Sequence, residues 1–414
     1  MSTPRRVVVT GLGAITPIGI GLDAVRASLR AEQSAVGMIT RFDPSPFRTQ
    51  IAAQIEEFSA EDHLDAKRVK RLDRFGQFSV IAANMALADS GIDLAKENRE
   101  NCGVMMGTAL AGVGYAESQL GRYLEGGLRA VDATLALAVF GGASSCNVAI
   151  ETGMQGPNST NAMSCASGAI AIGEAYRLVR DGYADIMIGG GAEAPLAPLC
   201  FGAFALIRAM STRNDDPTHA SRPFDAGRDG FVMGEGGAAL ILEERSRAIA
   251  RGAKIYGEVI GFGTTNDAHH MTAPLPGGAQ AARAMRQALT RADVGAHDVS
   301  YVNAHASATP LNDPTEADAM RTVFGESLQD VWVSGTKGYH GHALGASGAM
   351  EAVVCMLSLQ DAWLPATVNL DEVDASCTLR HVPKGGVACA PGVVMSNSFG
   401  FGGINASLLF RAAD

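Results

Sequence analysis

The chain has 414 residues, 47% of them hydrophobic, and a formal net charge of −10. That length holds enough core for two or three domains, and the negative charge argues against a nucleic-acid partner. No apolar stretch reaches the roughly 18 residues of a membrane span, and seven cysteines without regular spacing indicate reduced thiols in a cytoplasmic protein with no zinc-ligand pair.

Taken in chain order, Arg5-Arg-Val-Val-Val-Thr-Gly-Leu-Gly13 superficially looks like a secretory leader. Gly11, Gly13, Gly19, Gly21 and Pro17 interrupt it and no small-residue cleavage site follows, so none is expected. Lys67-Arg-Val-Lys-Arg71, with Arg74, Arg129 and Arg208, is either a solvated face or a docking surface. A helix holding Ala86-Leu-Ala-Asp-Ser-Gly91 leads into an apolar strand that ends at Gly107-Thr108. Next comes Asn161-Ala-Met-Ser-Cys-Ala-Ser-Gly-Ala169, a turn of small residues that opens into an amphipathic helix from Ile170 to Arg180. It puts the Cys165 thiol at a helix N-terminus, where the partial positive charge favours thiolate and backbone amides can hold an oxyanion. A lone cysteine so placed is also compatible with ordinary core packing.

Asp185-Ile-Met-Ile-Gly189 fits a strand buried on both sides, and the apolar run from Leu196 to Ile207 is broken by Pro198. Ala250-Arg-Gly-Ala-Lys254 marks a helix end before a new strand, which divides the chain into residues 1–252 and 253–414. The second part holds a helix through Ala288-Leu-Thr-Arg-Ala-Asp-Val-Gly295 and a strand from Val299 to Val302 that leads to His305. A strand end, a glycine-rich turn with Lys337 and His342, and a helix through Ala346-Ser-Gly-Ala349 follow. The order strand, turn, Ala-Ser-Gly-Ala, helix thus occurs twice, around Cys165 and around His342. Two α/β halves with mainly parallel sheets are expected.

These residues identify a family. The Cys165 turn, His305 with its Thr-Pro tail, Lys337 before Gly341-His342, and Asn397-Ser-Phe-Gly-Phe-Gly-Gly403 together resemble the β-ketoacyl-acyl-carrier-protein synthases, most closely the synthase II type. The resemblance runs from about residue 5 to about residue 410. It implies the thiolase fold, in which duplicated α/β halves stack as five αβαβα layers, and a decarboxylative condensation in fatty-acid elongation. Cys165 would carry the acyl group, and the backbone amides of Cys165 and Phe401 would form its oxyanion hole. His305 and His342 would donate to the malonyl thioester oxygen, with Lys337 and Glu316 as charged groups orienting them; for Glu316 a solvated helix face is the other reading.

By the same resemblance Ser307 and Thr309 would hold the phosphopantetheine arm borne by the substrates, and Leu110, Phe399 and Phe401 would line the acyl site. Core packing is the alternative for Leu110. Asn303, Ala304, Glu351, Ser396 and Asn397 match a structural monovalent-cation site of some members; no other cofactor is implied. Lys67, Lys70, Arg71, Arg74, Arg129 and Arg208 match the basic face that receives an acyl carrier protein. The roles of His269, His270 and His340 stay open, although a metal pair at His340 and His342 is disfavoured because no carboxylate or cysteine adjoins it.

Three departures bear on pathway: His305-Ala-Ser-Ala-Thr-Pro310 with Asn312-Asp313, Thr108-Ala-Leu-Ala111, and Ala133-Thr-Leu135 at the expected subunit interface. Asn312-Asp313 resembles ketosynthase subunits of type II polyketide synthases, which leaves two partners open, a second copy or a homologous chain-length-factor-like subunit. A non-catalytic factor would lack Cys165, and a thiolase would carry a second cysteine in the last glycine-rich motif, which has none.

Overall fold

Residues 4–413 are described by a computed structural model. Val7–Thr16 (β1) contains no charged residue and is buried along its whole length, as a strand covered on both faces must be. The first half continues with Cys102–Gly107 (β2), Asn158–Asn161 (β3), Ile186–Glu193 (β4) and Gly236–Glu244 (β5). The second half comprises Gly257–Asn266 (β6), Val299–Asn303 (β7), Trp332–Ser334 (β8), Val393–Gly400 (β9) and Ile404–Arg411 (β10). The spatial orders are β3-β2-β4-β5-β1 and β8-β7-β9-β10-β6. Numbering the strands within each half gives 3-2-4-5-1 both times, so the repeat read around Cys165 and His342 extends to the whole topology.

The sheets are mixed rather than mainly parallel. β2 pairs in parallel with β3 and β4, and β7 with β8 and β9, but β4–β5, β5–β1, β9–β10 and β10–β6 are antiparallel. Each half therefore ends in an antiparallel pair that hydropathy alone does not reveal, since antiparallel strands covered on both faces are as uniformly apolar as parallel ones. The halves join where Val7–Val9 of β1 runs antiparallel to Gly257–Val259 of β6.

Among the helices of the described residues, five place the site. Arg74–Ser90 (α1) covers the outer face of β1 and β5, and Ala279–Ala292 (α3), backed by Asn312–Phe324 (α4), covers β6 and β10. Ser167–Arg180 (α2) and Ser347–Asp361 (α5) lie in the middle and touch strands of both halves. α5 is buried from Ser347 through Leu359, the mark of a helix enclosed all round. The two central helices explain the repeated Ser-Gly-Ala. A Cβ on Gly168 would lie 2.9 Å from the Ala349 amide nitrogen, and one on Gly348 would lie 2.8 Å from that of Ala169. Only glycine allows the helices to meet there, and both reactive turns are thereby brought to one point between the sheets.

Candidate active site

Cys165 precedes α2, in a short 3-10 turn over Ser164–Ala166. Ser164 has a φ of 48°, a left-handed conformation that costs a non-glycine residue on the order of 1–2 kcal/mol. The Ser167 hydroxyl closes the turn by donating to the carbonyls of Ser164 at 2.7 Å and Thr108 at 3.0 Å. The amides of Phe401 and of Cys165 itself point at the sulfur. Gly400 permits this approach, because a Cβ there would sit 3.1 Å from the Cys165 nitrogen.

The thiol itself differs from expectation. Cys165 is only 8% exposed, and burial pushes it up to about 12, against the opposing pull of Lys337 and the two amides. A helix terminus contributes at most about 2 kcal/mol, equivalent to about 1.5 pH units, whereas full burial can shift a group by about 3–5 units. Burial wins, and the resting nucleophile is a thiol.

His305 and His342 face each other near this sulfur, with ring centroids 5.3 Å apart and planes at 85°. Glu316 fixes the first by accepting from the amides of His305 at 2.9 Å and Ala306 at 2.8 Å. Backbone pairing fixes the second: the His342 amide donates to the Val232 carbonyl at 2.7 Å, and its carbonyl accepts from the Gly234 amide at 2.9 Å. His342 Nδ1 lies 2.9 Å from the Ser347 hydroxyl, which leaves Nε2 for the cavity. Burial, reinforced by the positive charge of Lys337, holds both imidazoles well below their ordinary range, so both are neutral near pH 7. Lys337 donates to the His305 carbonyl at 2.6 Å and pairs with Glu351 rather than with Glu316.

A cavity of about 280 Å³ opens on this group, lined by Cys165, His305, His342, Phe399 and Phe401, with Ser307, Thr309, Asn312 and Arg208 toward its sides. The Ser307 and Thr309 hydroxyls are 3.1 Å apart. Phe401 stacks on Phe204 at 6.4 Å between centroids, and Phe231 meets the His342 ring edge-on at 5.4 Å. Leu110 is not on the cavity wall; it packs in the apolar cluster with Cys165, Phe201 and Leu344. His269 and His270 are exposed, and His270 Nδ1 accepts from the amides of Thr272 and Ala273 within its own loop. His340 is buried with Nδ1 bonded to the Gly341 carbonyl, and burial pushes it down to about 3.

Lys67, Lys70, Arg71, Arg129 and Arg208 are exposed. Arg74 is only half-buried but is already engaged within the protein. Its guanidinium is bound to buried Glu235 at 2.9 and 3.0 Å and lies over the rings of Phe58 and Phe78.

Behind the histidines, Asn303 Oδ1, Glu351 Oε2 and Ser396 Oγ are buried without a hydrogen-bond partner. Asn303 and Ser396 are register neighbours on β7 and β9, and Cys355 faces both Glu351 and Ser396. Three unpaired oxygens in one buried region fit a cation. Two of the expected ligands contribute no free side-chain oxygen: Ala304 has none to offer, and Asn397 donates to Glu316 and accepts from Ser407. Among the described residues no cluster of histidine, cysteine, aspartate or glutamate could hold a metal ion.

Residues 4–248 match the family model for the Beta-ketoacyl synthase N-terminal domain and residues 256–371 that for the C-terminal domain. The chain belongs to the β-ketoacyl synthase family. It is 44% identical over 407 residues to 3-oxoacyl-[acyl-carrier-protein] synthase 2 of Synechocystis sp., with 98% of each chain covered. A Coxiella burnetii protein of the same name is 41% identical over 405 residues, again with 98% of each covered. Among solved structures, a type II polyketide ketosynthase in complex with its acyl-carrier protein superposes with a TM-score of 0.93 at 32% identity, covering 99% of this chain and 100% of that one. A β-ketoacyl synthase from Burkholderia phymatum superposes at 0.91 with 36% identity and the same coverage. The fold is accordingly the thiolase fold of the ketosynthases, and the chain is a condensing enzyme. No helix among the described residues is long and apolar enough to cross a membrane.

Two residues near the site escape the sequence reading. Ser347 is hidden in the Ala-Ser-Gly-Ala repeat, where nothing distinguishes it from Ser167. Glu193 does leave a signal: a glutamate that closes a strand buried at every position must have a partner inside the protein.

Proposed function

We propose that this β-ketoacyl synthase catalyses fatty-acid elongation by condensing an acyl group on Cys165 with malonyl-acyl-carrier-protein, releasing carbon dioxide and β-ketoacyl-acyl-carrier-protein. One observation carries the assignment: a buried thiol under two backbone amides shares a cavity with two neutral imidazoles. In the first step the Cys165 sulfur attacks the acyl thioester. The Cys165 and Phe401 amides stabilise the oxyanion, and the carrier's pantetheine thiol leaves with the proton that Cys165 loses. Then the C–C bond to the malonyl carboxylate breaks, carbon dioxide departs, and the electron pair becomes an enolate whose oxygen accepts from His305 and His342. The enolate carbon attacks the acyl carbon, the bond to Cys165 breaks, and the sulfur takes a proton from water, the one proton the overall condensation consumes.

Neutral histidines suit this role because they present N–H dipoles without placing a second cation beside Lys337. Glu316 and Lys337 hold His305 through its backbone. Ser307 and Thr309, on the cavity wall, would bind the pantetheine arm. Lys67, Lys70, Arg71, Arg129 and Arg208 would receive an acidic carrier protein, Arg208 being both exposed and part of the cavity lining. Asn303, Glu351 and Ser396 would hold a monovalent cation, which would satisfy their unpaired oxygens and rigidify the support behind His305.

The identities of 39–44% to synthase 2 proteins support elongation, for which we take two copies of this chain as the working unit. One observation favours a second reading. A type II polyketide ketosynthase and the ishigamide ketosynthase/chain length factor both superpose at a TM-score of 0.93. Assay of the isolated chain with saturated acyl and malonyl carrier proteins distinguishes them. Elongation at full rate by a homodimer supports the first, whereas elongation only after addition of a homologous cysteine-free subunit supports the second. Release of carbon dioxide with no carbon–carbon bond under either condition would reject both.

A further inference from the structure

Six glutamates are fully buried, and four of them are matched by cations. Glu235 binds Arg41 and Arg74, Glu243 binds Arg247 and Arg251, Glu258 binds Arg6 and Arg411, and Glu351 binds Lys337. The other two are Glu316 and Glu193. Glu316 spends its oxygens on the backbone of His305 and Ala306. Glu193 has no ion-pair partner among the described residues, and its carboxylate collects four donors. Oε1 accepts from the Thr108 hydroxyl at 3.0 Å and the Leu110 amide at 3.1 Å; Oε2 accepts from the amides of Ala109 at 2.5 Å and Gly345 at 3.0 Å.

The internal repeat shows what this arrangement replaces. Gly168 and Gly348 occupy matching places, which makes Gly345 the counterpart of Cys165. The eight residues of β4 and β9 then align so that Glu193 is the counterpart of Gly400. Close approaches agree with that register: Gly191 lies against Gly168, and Ser398 against Gly348. The Cys165 amide faces the reacting sulfur, while the equivalent Gly345 amide is occupied by the Glu193 carboxylate. In the second half the place of an oxyanion is filled by a carboxylate supplied by the protein itself.

That anion joins two functional stretches. Gly345 lies between His342 and Ser347, the residue that faces His342 Nδ1, and Thr108–Leu110 carries the side chain packed beside Cys165. We propose that Glu193 is a positioning residue, which locks the Thr108–Leu110 loop to the His342 turn so that the apolar packing behind Cys165, against which an acyl group on the sulfur must fit, and malonyl decarboxylation are set together. The proposal rests on the condensing activity assigned above. A carboxylate is required, because both oxygens accept from backbone amides and a glutamine would turn its NH₂ against one set. Burial holds the group up to about 7, while the same four bonds pull it down. The titratable neighbours that face it, Cys165 and Cys200, are both pushed up to about 12 by burial, and Glu117 lies beyond Cys200.

The test uses single turnovers of the full-length protein carrying Glu193→Gln, with Thr108→Val as a milder variant that removes one donor at nearly constant volume. Intact mass gives the fraction of Cys165 acylated, carbon dioxide release is normalised to that fraction, and acylation rates are compared for a short and a long acyl carrier. Neither ratio depends on how much protein is folded. In Glu193→Gln the expected results are complete acylation, decarboxylation per acyl-enzyme reduced about tenfold or more, and a changed short-to-long ratio; Thr108→Val should move both in the same direction by about threefold. Wild-type values of both ratios in both variants, or a loss of acylation equal to the loss of decarboxylation, would overturn the proposal. Failure of the wild-type protein to acylate Cys165 would instead overturn the assignment of the activity.

Discussion

The two halves of this synthase share a strand order and a central Ser-Gly-Ala helix start, but they use the turn before that helix differently. In the first half the residue after left-handed Ser164 is Cys165; in the second the residue after left-handed Leu344 is Gly345. Ser167 ties its own turn together, whereas its counterpart Ser347 faces a catalytic histidine. The fold therefore supplies one rigid frame twice. Chemistry arises where single side chains break the symmetry, so a frame mutation and a turn mutation should fail in different ways.

The broadest effect, on stability and on both steps, is expected from the frame. Gly168→Ala and Gly348→Ala each force a Cβ into the opposite helix and should lower stability by about 2–3 kcal/mol, seen as a lower urea midpoint at unchanged slope. Activity should fall in both steps, because the variants misplace both turns. A wild-type midpoint for either would mean that the central crossing is looser than described. The turns should behave otherwise. His342→Ala and His305→Ala should each reduce malonyl decarboxylation by about 10²–10³ while acylation of Cys165 is less affected; equal losses would assign the histidine to proton removal from the thiol.

The paired serines sharpen the contrast. Ser347→Ala should slow decarboxylation by about tenfold, because His342 loses the partner that orients its ring, with little change in melting. Ser167→Ala leaves the Thr108 carbonyl without its donor, while the Ser164 carbonyl keeps the Ser167 amide, and should cost about 1–2 kcal/mol of stability, with no preference between the two steps. The smallest effect concerns the thiol. With Cys165 held up to about 12, alkylation of its peptide by iodoacetamide should rise about tenfold per pH unit from pH 6 to 9. A plateau near pH 7 would restore the activated thiolate that the helix terminus suggested.

That last point marks the limit of what the sequence discloses. Periodicity and the Ala-Ser-Gly-Ala repeat are local, so the helices, the duplicated order and the turns with Cys165, His305 and His342 are legible. Burial is a property of the whole chain. Nothing next to Cys165 reveals that dehydration outweighs the helix terminus, and nothing next to Arg74 reveals the Glu235 carboxylate 161 residues away. The pairing of Lys337 with Glu351, the confinement of Leu110 to the core side of the site, and the antiparallel centre of each sheet are non-local in the same sense. Glu193 falls between these cases: its isolation in an apolar strand is visible, but the four donors come from two distant turns.

The central claim, that acyl transfer and decarboxylation are separate events on the two turns of one cavity, is tested most directly by intact mass during a stepwise turnover. The wild-type protein, given an acyl carrier protein, should gain one acyl group on the peptide containing Cys165. On addition of malonyl carrier protein it should lose that group with one equivalent of carbon dioxide, while Cys165→Ala gains no acyl group. Acylation at another cysteine, or acyl loss as free acid without a carbon–carbon bond to the malonyl unit, would contradict the account.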